Sequence, residues 1–262
     1  MSKEYDTNDI AAEFGLEWLR AALEAEDIGE EDAPTSAVPN LLEVSKRCRS
    51  RNEPVVSGLL RRGEVMNIVA PPKIGKTWLT YHLVCAQVSG QPWLGVPNWT
   101  TKVGNVHLID NELHESEIAH RLRLVVETQK PDGFADNVME ERIKITSLRG
   151  KDMDLEKILE EIAPLSREME PALVIIDSLY KAMPKGLSEN DNADVTRVYN
   201  LLNQYAAVVE TAGIIIVHHT SKGGQAEKEI TDIGSGAGAQ SRAADTHLVL
   251  RRHEDDEGRI QA

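Results

Sequence analysis

The segment VMNIVAPPKIGKTWLTYHL, residues 65–83, constrains this chain more than any other. It joins a β-branched run to an amphipathic run through A-P-P-K-I-G-K-T, so the loop lies between a strand and a helix. This is the frame of a phosphate-binding loop, the Walker A motif, with its first glycine replaced by Ala70. Such a loop needs consecutive backbone N–H groups turned inward and a helix N-terminus whose dipole favours an anion. It also needs a lysine ammonium for the β- and γ-phosphates and a hydroxyl for Mg²⁺. Ile74, Gly75, Lys76 and Thr77 supply all of these, and the expected cradle comprises Ala70, Pro71, Pro72, Lys73, Ile74, Gly75, Lys76, Thr77 and Trp78. Pro71 and Pro72 donate no N–H but stiffen the start of the loop. Ala70 is tolerated only if its φ is negative.

From residue 60 onward, short β-branched runs alternate with longer stretches of helical spacing. EVMNIVA (64–70), NVHLID (105–110), RIKITSL (142–148), ALVIID (172–177), GIIIVHH (213–219) and THLVLRR (246–252) are the expected strands. LVIID and IIIV are too continuously apolar for a half-wet sheet, which places the central strands between two helical layers. Helical spacing over Thr77 to Ser89, Glu115 to Thr128, Leu155 to Ser166 and Asn192 to Thr211 completes a series of βαβ units. The fold class is therefore α/β, with a mostly parallel central sheet flanked by helices. After LVLRR the chain has a polar turn and the first residues of a return strand, read either as a short edge strand or as the end of a fragment of a longer polypeptide.

Two further segments carry chemistry. ALVIIDSLY ends a buried strand on Asp177, an acid placed to hold the water shell of a nucleotide-bound Mg²⁺, as a Walker B aspartate does. Together with Thr77 it forms the expected metal position. Ser178 stands where many P-loop enzymes carry a catalytic glutamate, so the general base is sought at the end of another strand. VHLIDNE offers Glu112, with Asp110 as its rival, and Glu112 is the favoured one. In GIIIVHHTSKGG, polar residues leave an apolar strand abruptly at the edge where open α/β sheets bind ligands. One of His218 and His219 is placed to sense a γ-phosphate, the alternative being that both simply cap the strand. Thr220 to Gly238 then reads as a long loop with Lys222 and Lys228, and Met183 to Ala193 as another with Lys185.

The net charge of −14 argues against a broad basic face for duplex DNA. Residues 1–40 hold −9 of it, with eleven acids against Lys3 and Arg20, and Leu41 to Gly63 is locally basic, which leaves room for a small nucleic-acid channel. Asp9 to Ala25 reads as an amphipathic helix whose stripe includes Phe14, Trp18 and Leu19. A charged, Pro- and Ser-containing linker follows, so 1–40 is read as a helix-plus-linker arm and 41–262 as the main domain. The stripe has to pack on the main domain, on a neighbouring subunit or on another protein. Self-association is the expected use. The two cysteines, Cys48 and Cys85, lack metal or redox spacing and point to a reducing compartment. No window is apolar enough for a membrane span, so a cytoplasmic location without membrane contact is expected.

GLLRRGEVMNIVAPPKIGKT, the stretch from Asp110 to Arg121, LVIIDSL, and IIIVHHTSKG followed by GSGAGAQSRAADTHLVL together resemble the RepA-like branch of RecA-fold ATPases. That branch includes plasmid-encoded hexameric replicative helicases and AAA-family P-loop ATPases. The resemblance covers residues 55–252 and implies a RecA-like P-loop NTPase core. It matches Lys76 and Thr77 to the phosphate-loop pair, Glu112 to the catalytic glutamate and Asp177 to the Walker B acid. Arg121 matches an arginine near that glutamate, and His219, with His218 beside it, the sensor histidine. It further implies a homo-oligomeric, hexameric ring with ATP at subunit interfaces, an arginine finger donated in trans, and single-stranded DNA in the pore. Around Ala243 to Thr246, where such helicases place the finger, this chain has Ala-Ala-Asp-Thr, and spacing does not choose among Arg242, Arg251 and Arg252. The expected function is Mg²⁺-ATP hydrolysis by a ring-forming single-stranded-DNA motor or helicase of plasmid or mobile-element replication. The alternative is a nucleotide-switched assembly or regulatory ATPase without unwinding activity.

Overall fold

Six parallel strands in the order β5-β4-β6-β7-β3-β8 form one sheet: β3 (Val65–Ala70), β4 (Asn105–Asp110), β5 (Ile143–Ser147), β6 (Pro171–Asp177), β7 (Gly213–His219) and β8 (Thr246–Val249). The computed structural model describes residues 39–47, 51–131, 136–151, 153–184, 186–188, 191–209, 212–219, 237–251, 253–254 and 260–261. The α/β class and the parallel sheet expected from the apolar runs are present, each of the six strands within its expected segment except β6, which starts one residue earlier, at Pro171. β3, β6 and β7 are buried along nearly their whole length because helices cover both faces.

The chain divides into two compact units, Met1–Glu53 and Pro54–Ala262. In the first, the described element is α1 (Leu41–Arg47), opened by a capping box. Its Asn40 Oδ1 accepts from the Glu43 N–H at 3.1 Å, and Glu43 Oε2 accepts from the Asn40 N–H at 2.8 Å. The helix expected over Asp9 to Ala25, with Phe14, Trp18 and Leu19, lies outside the described residues, as do Cys48, Lys185, Lys222, Lys228 and Arg252.

In the second unit a short hairpin, β1 (Pro54–Val56) with β2 (Leu60–Arg61), precedes the sheet. Leu60 presses on the first residue of β7: a Cβ on Gly213 would fall 2.7 Å from Leu60 Cδ2, so only glycine fits there. One face of the sheet packs Met66, Ile68, Leu108, Ile175, Ile215 and Val217 against α2 (Lys76–Ser89) and α3 (Glu115–Gln129). A small helix, α4 (Asp136–Arg142), precedes β5. On the opposite face lie α5 (Leu155–Met169) and α7 (Asn192–Val208), joined by a hydrogen bond of 2.6 Å between Ser166 Oγ and Tyr205 Oη. Both begin on an aspartate cap: Asp154 accepts from the Lys157 N–H, and Asp191 from the N–H groups of Ala193 and Asp194. One-turn α6 (Leu179–Ala182) follows β6, α8 (Ala237–Ala243) precedes β8, and β9 (His253–Glu254) pairs with β10 (Ile260–Gln261).

Register is what positions the site. Ala70 pairs with His219, Asp177 with Val217, and Asp110 with Asp177, so the C-terminal tips of β3, β7, β6 and β4 stand in a row. β7 sits between the strand that feeds the phosphate loop and the strand that ends on Asp177. Ligands of open α/β sheets bind along this edge.

Candidate nucleotide-binding and catalytic site

The loop after β3 turns into α2 through two residues with left-handed backbone, Lys73 (φ 63) and Gly75 (φ 99). Ala70 ends β3 in extended backbone, the conformation its methyl group requires. α2 starts with Gly75 at its N-cap, with no side-chain cap and no acid in its first turn, so its orphan N–H groups and the positive end of its dipole face outward. That is the arrangement a phosphate group completes.

Lys73, Gly75, Lys76, Thr77, Trp78, Glu112, Arg121, Asp177 and His219 line one cavity of about 280 Å³ at this edge. Lys76 is buried, and its Nζ donates to the carbonyls of Ala70 at 2.8 Å and Pro71 at 3.0 Å. Nζ also lies 3.2 Å from His219 Nδ1. Burial pulls the Lys76 ammonium below its ordinary pKa, against the attraction of Asp177 and Glu112. An incoming polyphosphate would restore what burial takes away. Ala70 and Pro71 thus serve the loop through their carbonyls, while Pro72 and Ile74 lie outside the cavity lining.

Asp110 and Glu112 have distinct places. Asp110 Oδ1 accepts from the backbone N–H groups of Glu112 and Leu113, both at 2.7 Å, so this buried carboxylate shapes the turn that carries Glu112. Glu112 is half-buried in the cavity wall, where Ser178 Oγ donates to its Oε1 at 2.9 Å and His219 Nε2 lies 3.3 Å from the same oxygen. These two contacts outweigh burial and hold the Glu112 carboxyl down at about 2. Asp177 is pushed the other way, up to about 7, chiefly by burial and then by the charges of Asp110 and Glu112.

Arg149 was not singled out by sequence reasoning. Arg149 Nη1 donates to the Glu112 carbonyl at 3.1 Å, and Lys181 Nζ to the Asn111 carbonyl at 3.4 Å, so two cations brace the turn that carries Glu112. Ser178 entered the sequence reading only as a missing glutamate; its hydroxyl is the group that orients the glutamate supplied from β4. Arg121 closes the cavity's outer side: its Nε donates to Glu117 Oε1 at 2.6 Å, and its guanidinium lies 5.7 Å from the centre of the half-exposed Trp78 ring.

His218 and His219 part company. Successive strand residues face opposite sides of a sheet. His219 enters the cavity, whereas His218 is buried against α7, with its Nε2 2.9 Å from Tyr199 Oη, whose hydroxyl donates to Asn67 Oδ1 at 2.6 Å. The expectation that His218 stands beside His219 at the site is corrected: burial on the far face drives its pKa down to about 3 and keeps it neutral. Arg242 and Arg251 do not line this cavity.

The residues present fit ATP with Mg²⁺. An uncapped helix start and a buried lysine await an anion, and Thr77 brings a hydroxyl to the cavity beside the acid Asp177. Among the described residues no cluster of three or more His, Cys, Asp or Glu side chains could hold a metal unaided, so a cation here would share nucleotide oxygens. Among the described residues, too, no helix is long and apolar enough to cross a membrane. No curated protein matches the chain. The AAA domain family matches it over residues 33–225, well over half of its length. The chain belongs to this AAA domain family of P-loop ATPases.

Proposed function

We propose that the chain is a cytoplasmic, Mg²⁺-dependent ATP hydrolase with Glu112 as general base, and that it works as a ring-forming motor on single-stranded DNA. The observation that carries the hydrolytic reading is the Glu112 carboxylate, held ionised by Ser178 and His219 in the wall of the cavity that also contains Lys76, Thr77 and Asp177. Glu112 takes a proton from water as the water oxygen bonds to the γ-phosphorus. The bond from that phosphorus to the β–γ bridging oxygen breaks, and its electron pair leaves on ADP. Lys76 and the N–H groups at the start of α2 hold the β- and γ-phosphates, which accumulate negative charge as this happens. Thr77 directly and Asp177 through water would hold the Mg²⁺, which offsets phosphate charge. Lys76 gives up its contacts with the Ala70 and Pro71 carbonyls when the phosphates arrive. Its neighbour His219 then links the γ-phosphate region to Glu112.

The motor reading is supported by the order of the four motifs and by what leaves this edge. The chain runs directly from His219 into 220–238 with Lys222 and Lys228, and from Asp177 through Lys181 to Lys185. Cationic segments next to a γ-phosphate sensor suit a channel that tracks a nucleic-acid backbone. A ring tied together through residues 9–25 would align such segments around one axis. The net charge of −14 and the Ala-Ala-Asp-Thr at 243–246 favour a second reading, a nucleotide-switched assembly ATPase that does not unwind DNA.

The test is ATP turnover with and without oligo-dT on a sample of known solution mass. The motor reading expects stimulation by oligo-dT, binding that weakens steeply with salt, and a multimer that shrinks when residues 1–40 are deleted. A multimer whose turnover ignores oligo-dT at every salt concentration selects the second reading.

A further inference from the structure

Three cations from the described residues line the cavity, and two of them are engaged. Lys76 holds the carbonyls of Ala70 and Pro71, and Arg121 is bonded to Glu117 and lies over Trp78. Lys73 is exposed and has no partner among the described residues. Its backbone adopts φ 63, a left-handed conformation that costs an L-residue free energy and costs glycine none. Two residues later the loop needs positive φ again, at Gly75 with φ 99, and there it does use glycine. The two positions differ in kind, since φ 63 lies in the left-handed region that an L-residue enters at a cost, whereas φ 99 lies beyond it. A strained position at a ligand site that keeps a long cationic side chain, where glycine would relieve the strain, points to a use for that side chain.

We propose that Lys73 is a second phosphate-loop lysine whose ammonium contacts the γ-phosphate of bound ATP and neutralises the charge that develops there during hydrolysis. It would take in cis the part that an arginine takes in many nucleotide hydrolases. The bonds made and broken are those of the hydrolysis above; Lys73 moves no proton. The proposal rests on the reading of the cavity as an ATP site.

Lys73→Gly, Lys73→Gln and Lys73→Arg decide it, read by kcat and KM for MgATP, by affinity for ATP and ADP, and by thermal melting. Lys73→Gly and Lys73→Gln should lower kcat about 10- to 100-fold, and Lys73→Arg should keep it within about 3-fold of the unaltered protein. ATP affinity should fall in the Gly and Gln variants while ADP affinity changes by less than about 3-fold, because ADP has no γ-phosphate. Lys73→Gly should melt no lower than the unaltered protein, since glycine relieves the backbone. Wild-type kcat in Lys73→Gly would overturn the proposal by showing that the loop needs only the backbone. Equal loss of ADP and ATP affinity, or an arginine variant as slow as the glycine one, would overturn it as well. An unaltered protein that neither binds nor hydrolyses ATP would instead remove the underlying ATP-site reading, a result distinct from a working enzyme indifferent to position 73.

Discussion

His219 Nε2 lies 3.3 Å from Glu112 Oε1 while the other ring nitrogen, Nδ1, lies 3.2 Å from Lys76 Nζ. One imidazole at the tip of β7 thus bridges the residue that would hold the γ-phosphate and the residue that would activate water. Movement of Lys76 onto a phosphate would change what His219 can bond, and through it the setting of Glu112. The ring also packs edge-on against Tyr180, at 5.6 Å between centroids, which ties its orientation to the segment that follows Asp177.

Lys76→Ala should abolish measurable ATP binding or turnover, because Lys76 is, among the described residues, the one buried ammonium lining the cavity. Isothermal titration with MgATP checks this. Wild-type affinity together with wild-type turnover would remove the phosphate-loop assignment.

Asp110 should behave as a turn residue. Asp110→Asn retains an oxygen for the Glu112 and Leu113 N–H groups, so hydrolysis should stay within about 10-fold of wild type. Asp110→Ala leaves both donors without that acceptor and should cost about 1–3 kcal/mol in denaturant unfolding. Loss of turnover in Asp110→Asn with undiminished stability would move the general-base role to Asp110.

The adjacent histidines should separate in the same way. His219→Ala should slow hydrolysis roughly 10- to 100-fold with little change in melting temperature. His218→Ala opens a cavity beside Tyr199 and breaks a buried network. It should cost about 2–4 kcal/mol of stability while sparing nucleotide binding per folded molecule. The reverse pattern would contradict the assignment of the two sheet faces.

Much of this was legible from residue order, for stateable reasons. Parallel strands covered on both faces must be continuous apolar runs, so LVIID and GIIIV announced β6 and β7. The hairpin β1–β2 and helices α4, α6 and α8 went unread because two to seven residues carry too little periodicity. Period two requires His218 and His219 to face opposite ways, but which one meets the ligand depends on Asn67 and Tyr199, far away in sequence. Ala70 drew attention as the departure from a glycine-rich loop, although it sits without strain in β3. The strained position is Lys73, and only backbone geometry reveals it.

Acid should destabilise the fold through His107. It is fully buried, with Nε2 2.8 Å from Thr146 Oγ1, and burial lowers its pKa to about 4. The folded pKa lies below the unfolded one, so the unfolded chain binds the proton first. The stabilisation is complete above the unfolded value of 6.5 and is lost as pH falls toward about 4. Asp177, raised to about 7, acts in the opposite sense over part of this range, so the test is a difference against a variant that leaves Asp177 in place. Between pH 7 and pH 4 the stability advantage of wild type over His107→Leu/Thr146→Val should shrink by about 3 kcal/mol. A difference independent of pH would show that His107 is not held neutral by the fold.

Single-turnover hydrolysis of MgATP by wild type and Glu112→Gln, with bound nucleotide quantified in the same samples, tests the central claim most directly. The expected result is equal ATP occupancy in both proteins and hydrolysis at least ~100-fold slower in the variant, the scale for loss of a general base. A Glu112→Gln protein that binds ATP and hydrolyses it at the wild-type rate would contradict the claim.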